Sequence, residues 1–240
     1  MFCENVYHLY YYITAVGKSV TRVVQSFSVP DGSEAHEALK AWKSEGKNIS
    51  SKIQMLIEGV TEESEIENWP LDWKKPDSQT IEKIRQIKCI LFDVDGVFTD
   101  GTVLRDVNGS EQRRFSVIDG HGVQLLREAG IMVGIISREN SEITHSRMKK
   151  LRIPEVHVGI LDKSSIVREI MMKHGLLASE IAFMGDDLPD LLAFEEVGLR
   201  LSPINAHPKI RLESDWVSKN KGGKGAVREA AEVILFFQSV

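Results

Sequence analysis

The sequence predicts an α/β fold with a parallel central sheet and helices on both faces, preceded by a small strand-helix-helix module. Three observations carry this. From about residue 81 onward, short apolar runs alternate with amphipathic segments in the order β, α, β, α, the pattern of parallel strands joined by crossover helices. Asp, Ser or Lys residues stand where four of those runs end or the next helix opens, and such sheets gather their ligands at the carboxyl ends of the strands. Between Glu58 and Asp72 there are six acidic residues and no basic one, followed by Pro76 and interrupted by Pro70, a linker composition. The expected division is a module over 1–58, a linker over 59–80 and the α/β domain over 81–240.

Each element follows from its local pattern. Val6–Val16 is apolar and tyrosine-rich, too short for a membrane span of about 20 residues and without the basic start of a signal peptide; it reads as a strand or a loose leader. Residues 20–29, VTRVVQSFSV, are β-prone and end at Pro30 and Asp31-Gly32. Ala35, Ala38, Leu39 and Trp42 recur at helical spacing up to Gly46, and Asn48 opens a second helix marked by Ile49, Ile53, Leu56 and Ile57. Ile81 and Ile84 predict a short helix before the strand IKCILFD. The segment GTVLRDVNGSEQRRFSV then places Asn108-Gly109 between β-prone arms, which predicts a hairpin beside the strand ends. The strands IMVGIIS, EVHVG, IAFMG and LRLS alternate with the helices GVQLLREAG, SEITHSRMKKL, KSSIVREIMMKHG and LPDLLAFEEVG.

Composition excludes several classes. The chain has 240 residues, 42% of them hydrophobic and 27% charged, and a formal charge of −5. That is ordinary for a globular protein and gives no general nucleic-acid affinity. Two cysteines, Cys3 and Cys89, do not make a disulfide framework and fit a reducing cytoplasm. No histidine pair has metal-ligand spacing, so no histidine is assigned to a metal.

The chemistry concentrates at four places: Asp93-Val94-Asp95-Gly96, Ser137, Lys163, and Gly185-Asp186-Asp187-Leu188-Pro189-Asp190. Taken singly, each has a bland reading: turn carboxylates, a helix N-cap, a solvated lysine, a charge at a helix start. Taken in order, they resemble the four motifs of the haloacid dehalogenase superfamily of phosphatases, with its Rossmann-like domain. The resemblance implies that Asp93 attacks phosphorus and forms an aspartyl phosphate, splitting one hard step into two. It makes Asp95 the acid for the leaving alcohol and then the base for water. Mg²⁺ would be held by Asp93, Asp186 and the backbone carbonyl of Asp95. Ser137, Lys163 and backbone groups at Gly96 would hold phosphate oxygens, and Asp187 and Asp190 would orient either the metal shell or Lys163.

The match sharpens over residues 86–238. DVDGVFTDG, FSVIDGHGVQLLREAGI, GDDLPDLLAFEEVGL, AHP and GGKGAVREAAEVIL look like the phosphatases of 3-deoxy-2-ulosonic acid phosphates. These act on 3-deoxy-octulosonate (KDO) 8-phosphate or on sialic-type nine-carbon 9-phosphates. The resemblance implies a capless enzyme that forms homotetramers through the hairpin at about 102–117, with the tail lying over a neighbour's active site and Lys224 standing where an arginine is common. After Ser137 the chain reads SREN, with Glu139 followed eleven residues later by Lys150, similar to the nine-carbon enzymes, although Arg138 replaces the usual glycine. A 9-phosphate substrate is therefore expected, with a KDO 8-phosphate as the alternative. Residues 18–58 resemble the ribbon-helix-helix module, which implies a dimerising or DNA-binding strand. That strand carries only Arg22, with Lys18 just before it, thin for phosphate contacts. A non-catalytic regulatory domain is a further alternative, disfavoured because both Asp93 and Asp95 remain.

Overall fold

A computed structural model describes residues 5–13, 21–29 and 75–238. The chain divides into two compact units, Met1–Pro70 and Leu71–Val240. In the first, β1 (Asn5–Ile13) pairs antiparallel with β2 (Thr21–Val29) in unbroken register, Asn5 opposite Val29 and Ile13 opposite Thr21. The strand expected to pair with a second copy thus has a partner within its own chain. The helices expected over residues 35–57 lie outside the described residues.

The second unit is built on a six-stranded parallel sheet in the order β10-β9-β8-β3-β6-β7. Its strands are β3 (Cys89–Phe92), β6 (Met132–Ile136), β7 (Glu155–His157), β8 (Ile181–Met184), β9 (Leu199–Ser202) and β10 (Trp216–Val217). Between them run α1 (Ser78–Arg85), α2 (Val117–Glu128), α3 (Glu142–Leu151), α4 (Lys163–His174), the short α5 (Leu191–Phe194) and α6 (Pro208–Glu213), and finally α7 (Ala226–Gln238). All four residues of β3 and of β8 are buried, as parallel strands covered on both faces must be. Leu91, Ile136, Val167, Ile170, Phe183 and Phe194 form one core cluster, and each such side chain contributes about 1.5–3 kcal/mol of burial. Phe92 meets Phe98 edge to face at 5.3 Å, pinning the turn after β3 onto the core.

Helix starts follow their capping residues. Asp77 accepts from Thr80 N–H, so α1 begins at Ser78, inside the stretch expected as linker. Ser116 accepts from Asp119 N–H and sets α2 five residues ahead of the GVQLL core of its pattern. The hairpin forms as β4 (Leu104–Arg105) against β5 (Glu111–Gln112). Gly109 N–H closes the turn onto Asp106 O at 3.0 Å, and of the turn residues Gly109 alone takes a positive φ, +83°. This is a type I turn followed by a left-handed glycine.

Residues 226–238 form α7, which packs along α2 and α1 of its own chain. Asp119 accepts from Gly225 and Arg228 N–H at 3.2 and 3.0 Å and so caps α7 from a neighbouring helix. At the other end, the Gln238 amide donates to Ile84 O and Ile87 O. Among the described residues no helix is long and apolar enough to cross a membrane.

Candidate active site

The chain runs outward from β3 through β6 to β7, then returns to β8 on the other side of β3. This reversal leaves a crevice at the carboxyl ends of β3 and β8, the place where parallel sheets bind ligands. Asp93 and Asp95 follow β3, Ser137 follows β6, Lys163 opens α4 and Asp186 follows β8. A cavity of about 570 Å³ there is lined by Asp93, Asp95, Ser137, Arg138, Glu139, Lys163, Asp186, Asp187 and Asp190, together with Gly101, Leu161 and Pro189.

Lys163 lies at the centre, 2% exposed. Its Nζ donates to Asp93 Oδ1 at 2.6 Å and to Asp190 Oδ1 at 2.5 Å. Asp162 caps α4 and places Lys163 in its first turn, where the helix dipole disfavours a cation. The two carboxylates offset that. Burial alone would lower the Lys163 pKa, but the charges of Asp93 and Asp190 hold it above its ordinary value. Asp190 accepts twice more: its second oxygen takes Asp186 N–H at 2.8 Å and Asp187 N–H at 3.1 Å. It fixes Lys163 and the loop together, which separates its role from that of Asp187, a cap for Leu188 N–H.

Oxygens of Asp93, Asp186 and Asp190 lie within 4.8 Å of one another. Three carboxylates against one ammonium leave negative charge uncompensated. The carboxyl of Asp93 is pushed up to about 7, first by burial and then by Asp190, with Lys163 opposing. That of Asp186 is pushed up to about 8 by burial and then by Asp93, Asp190 and Asp187. Hard oxygen donors with an excess of negative charge fit a divalent ion such as Mg²⁺. Asp190 carries three hydrogen bonds against one on Asp93, which makes Asp93 and Asp186 the better-placed carboxylates to hold it.

Gly96 serves the site differently from expectation. Its N–H turns to Thr99 Oγ1 at 3.3 Å, and it is absent from the cavity lining. Its φ is +91°, and a Cβ there would sit 2.0 Å from Asp186 Oδ2; glycine lets the two motif loops close on each other. Gly222 of the tail similarly presses on Gly96 O, where a Cβ would come within 1.7 Å.

Two expected specificity residues lie elsewhere. Lys150 lines a separate cavity with Gln124, Arg127 and Arg152. It stands in the last turn of α3, about 12 Å along the axis from the start of that helix at Glu142, with Glu139 in the loop before it. Lys224 is exposed in the turn before α7 and does not line the cavity. Glu139 does line it.

Sequence reasoning missed Arg113. Its side chain is 2% exposed and its Nε donates to Asp95 Oδ1 at 3.0 Å. The only local signal was a pair of arginines on the return arm of a hairpin beside the strand ends.

No family model matches the chain. The curated 3-deoxy-D-manno-octulosonate 8-phosphate phosphatase KdsC of Haemophilus influenzae is 36% identical over 154 residues, covering 64% of this chain and 86% of that protein. Among solved structures, a HAD superfamily (subfamily III A) hydrolase of Legionella pneumophila is 40% identical with a TM-score of 0.66, over 67% of this chain and 88% of that one. The 3-deoxy-D-manno-octulosonate 8-phosphate phosphatase of Moraxella catarrhalis, solved with magnesium ion, phosphate ion and a KDO molecule, is 37% identical with a TM-score of 0.66, over 67% and 92%. With the crossover at β3 and β8, the buried lysine between two aspartates and these relatives, the chain belongs to the 3-deoxy-D-manno-octulosonate 8-phosphate phosphatase family of the haloacid dehalogenase superfamily.

Proposed function

We propose that this phosphoric monoester hydrolase removes phosphate from a 3-deoxy-2-ulosonic acid phosphate, with Asp93 as nucleophile. The observation that carries this is the buried Lys163 bridging Asp93 and Asp190 beside Asp186. Held by Lys163, one Asp93 oxygen is fixed, which leaves the other to attack phosphorus and form an aspartyl phosphate. Mg²⁺ at Asp93, Asp186 and the Asp95 carbonyl would offset the repulsion between carboxylate and phosphate. Asp95 gives a proton to the departing alcohol and takes one from the water that cleaves the acyl phosphate. Ser137 Oγ, at the end of β6, and Lys163 supply donors to phosphate oxygens.

The eight-carbon 8-phosphate leads. The expectation of a nine-carbon substrate rested on Glu139 together with Lys150, and Lys150 faces a different cavity. The nine-carbon reading keeps one support, Glu139 beside Arg138 at the cavity. A panel of 8- and 9-phosphorylated ulosonic acids with Mg²⁺ decides it: kcat/KM at least tenfold higher for the 8-phosphate is expected. A preference for the 9-phosphate that Glu139→Gln removes would reverse the assignment.

The hairpin exposes Val103, Leu104 and Val107, the last fully. Exposed apolar side chains along the hairpin support the homotetramer, which light scattering would detect and which charged replacements at Val103 and Val107 should dissociate. A cytoplasmic setting is supported by the free, buried thiol of Cys89. The DNA-binding reading of residues 18–58 is weakened by the pairing of β2 with β1.

A further inference from the structure

We propose that Arg113 is a positioning residue for the proton-transfer step, acting through Asp95; this rests on the reading of Asp95 as the acid. Arg113 comes from the return arm of the hairpin, just past β5, and reaches back across the site. Its Nε donates to Asp95 Oδ1 at 3.0 Å, and its terminal nitrogen donates to Ser141 Oγ at 2.6 Å and Glu111 Oε2 at 3.2 Å. The guanidinium is thus held on three sides, and its planar fork fixes direction as well as charge.

Two further observations show what this arrangement serves. Ser141 is the N-cap residue of α3, yet its hydroxyl makes no cap hydrogen bond. A capping serine normally stabilises its helix by accepting from a first-turn N–H; here the hydroxyl is turned to Arg113 instead. At Asp95 the division is sharp. Oδ1 takes Arg113 and, at 3.5 Å, the Thr99 hydroxyl, while Oδ2 is buried with no partner, although buried polar atoms are nearly always paired. Asp95 lines the cavity. Arg113 therefore fixes one oxygen of the carboxyl, and with it the direction in which Asp95 meets the leaving group. This side chain connects the hairpin to the chemistry.

The test compares two esters in the first turnover, before water attacks the acyl phosphate. KDO 8-phosphate has an alkoxide leaving group that needs a proton; 4-nitrophenyl phosphate has one that does not. Asp95→Asn should slow first-turnover release from the sugar ester by about 10²–10⁴-fold and from the aryl ester far less. Arg113→Met should show the same selectivity, with about a 10²-fold loss on the sugar ester, and the double variant should be no slower than Asp95→Asn alone. Arg113→Lys should recover part of the loss by keeping a charge near Oδ1. Should Arg113→Met fail to fold, Ser141→Ala decides, because it frees the guanidinium and should give a smaller loss of the same selectivity. Equal losses on both esters, additive effects in the double variant, or no loss would overturn the role of Arg113. If Asp95→Asn itself shows no selectivity, it is the acid assignment that fails.

Discussion

Two buried carboxylate clusters on the same sheet are pushed in opposite directions. At the ends of β3 and β8, Asp93 is 7% exposed and its carboxyl is raised to about 7. At the edge strand β7, Glu155 is 4% exposed, yet its carboxyl lies at about 2. Burial raises both, so burial does not separate them. Glu155 is one carboxylate with three donors: Lys173 at 2.8 Å, His174 at 2.8 Å and His157 at 3.0 Å. Asp93 shares a single lysine with Asp190 and faces Asp186 as well. The first cluster is complete and ties α4 to β7. The second is left short of positive charge, which is what a site for a cation and a phosphate requires.

The largest effect should come from taking charge out of the incomplete cluster. Asp93→Asn should lower phosphate release by at least about 10³-fold, because an amide cannot form the acyl phosphate. The melting temperature should stay the same or rise, since one uncompensated charge is gone. Retention of a tenth of wild-type activity would reject Asp93 as nucleophile. Chelation should also stop turnover, and Mg²⁺ at a hundred times its dissociation constant should stabilise the protein by about 2.7 kcal/mol. That shift should vanish in Asp93→Asn/Asp186→Asn; a shift that persists would place the ion elsewhere.

Next comes the close approach between the two motif loops. Gly96→Ala would put a methyl group against the Asp186 carboxylate at a backbone φ of +91°. An activity loss of about 10²-fold is expected from displacement of Asp186 by as little as 1 Å, with about 1–3 kcal/mol of destabilisation. Wild-type kcat and melting temperature together would show that the loops have room to part.

The incomplete cluster was legible in the sequence because its members sit at the ends of apolar runs, where local pattern and chemistry coincide. Asp93, Ser137, Lys163 and Asp186 each mark the end of a strand or the start of a helix. The complete cluster was not legible: Glu155 and His174 are 19 positions apart and meet only once β7 lies beside the end of α4. Arg113 escaped for the same reason, reaching Asp95 and Ser141 across 18 and 28 positions. Lys150 was misplaced because spacing from Glu139 was read without the rise of the helix between them. Val227, Ala230, Ala231 and Ile234, all buried, already had helical spacing, but the tail was read by family likeness instead of by its period.

The smallest effect should come from the complete cluster, and it should fall on stability alone. Glu155→Gln keeps the size of the side chain and removes the charge that three donors share. Because the folded value near 2 lies below the ordinary 4.5, the unfolded chain binds the proton more readily. Glu155 therefore contributes stability above pH 4.5 and loses it as pH falls toward 2. At neutral pH the variant should be less stable by about 1–3 kcal/mol, and denaturant curves should converge with wild type as pH drops through that window. Activity per folded molecule should change less than about twofold, since no atom of Glu155 lines the catalytic cavity. A large fall in kcat would mean that the cluster reaches the chemistry after all. The path is short: His157 O accepts from Ser137 N–H at 2.8 Å, so a shift of β7 would be felt first at Ser137.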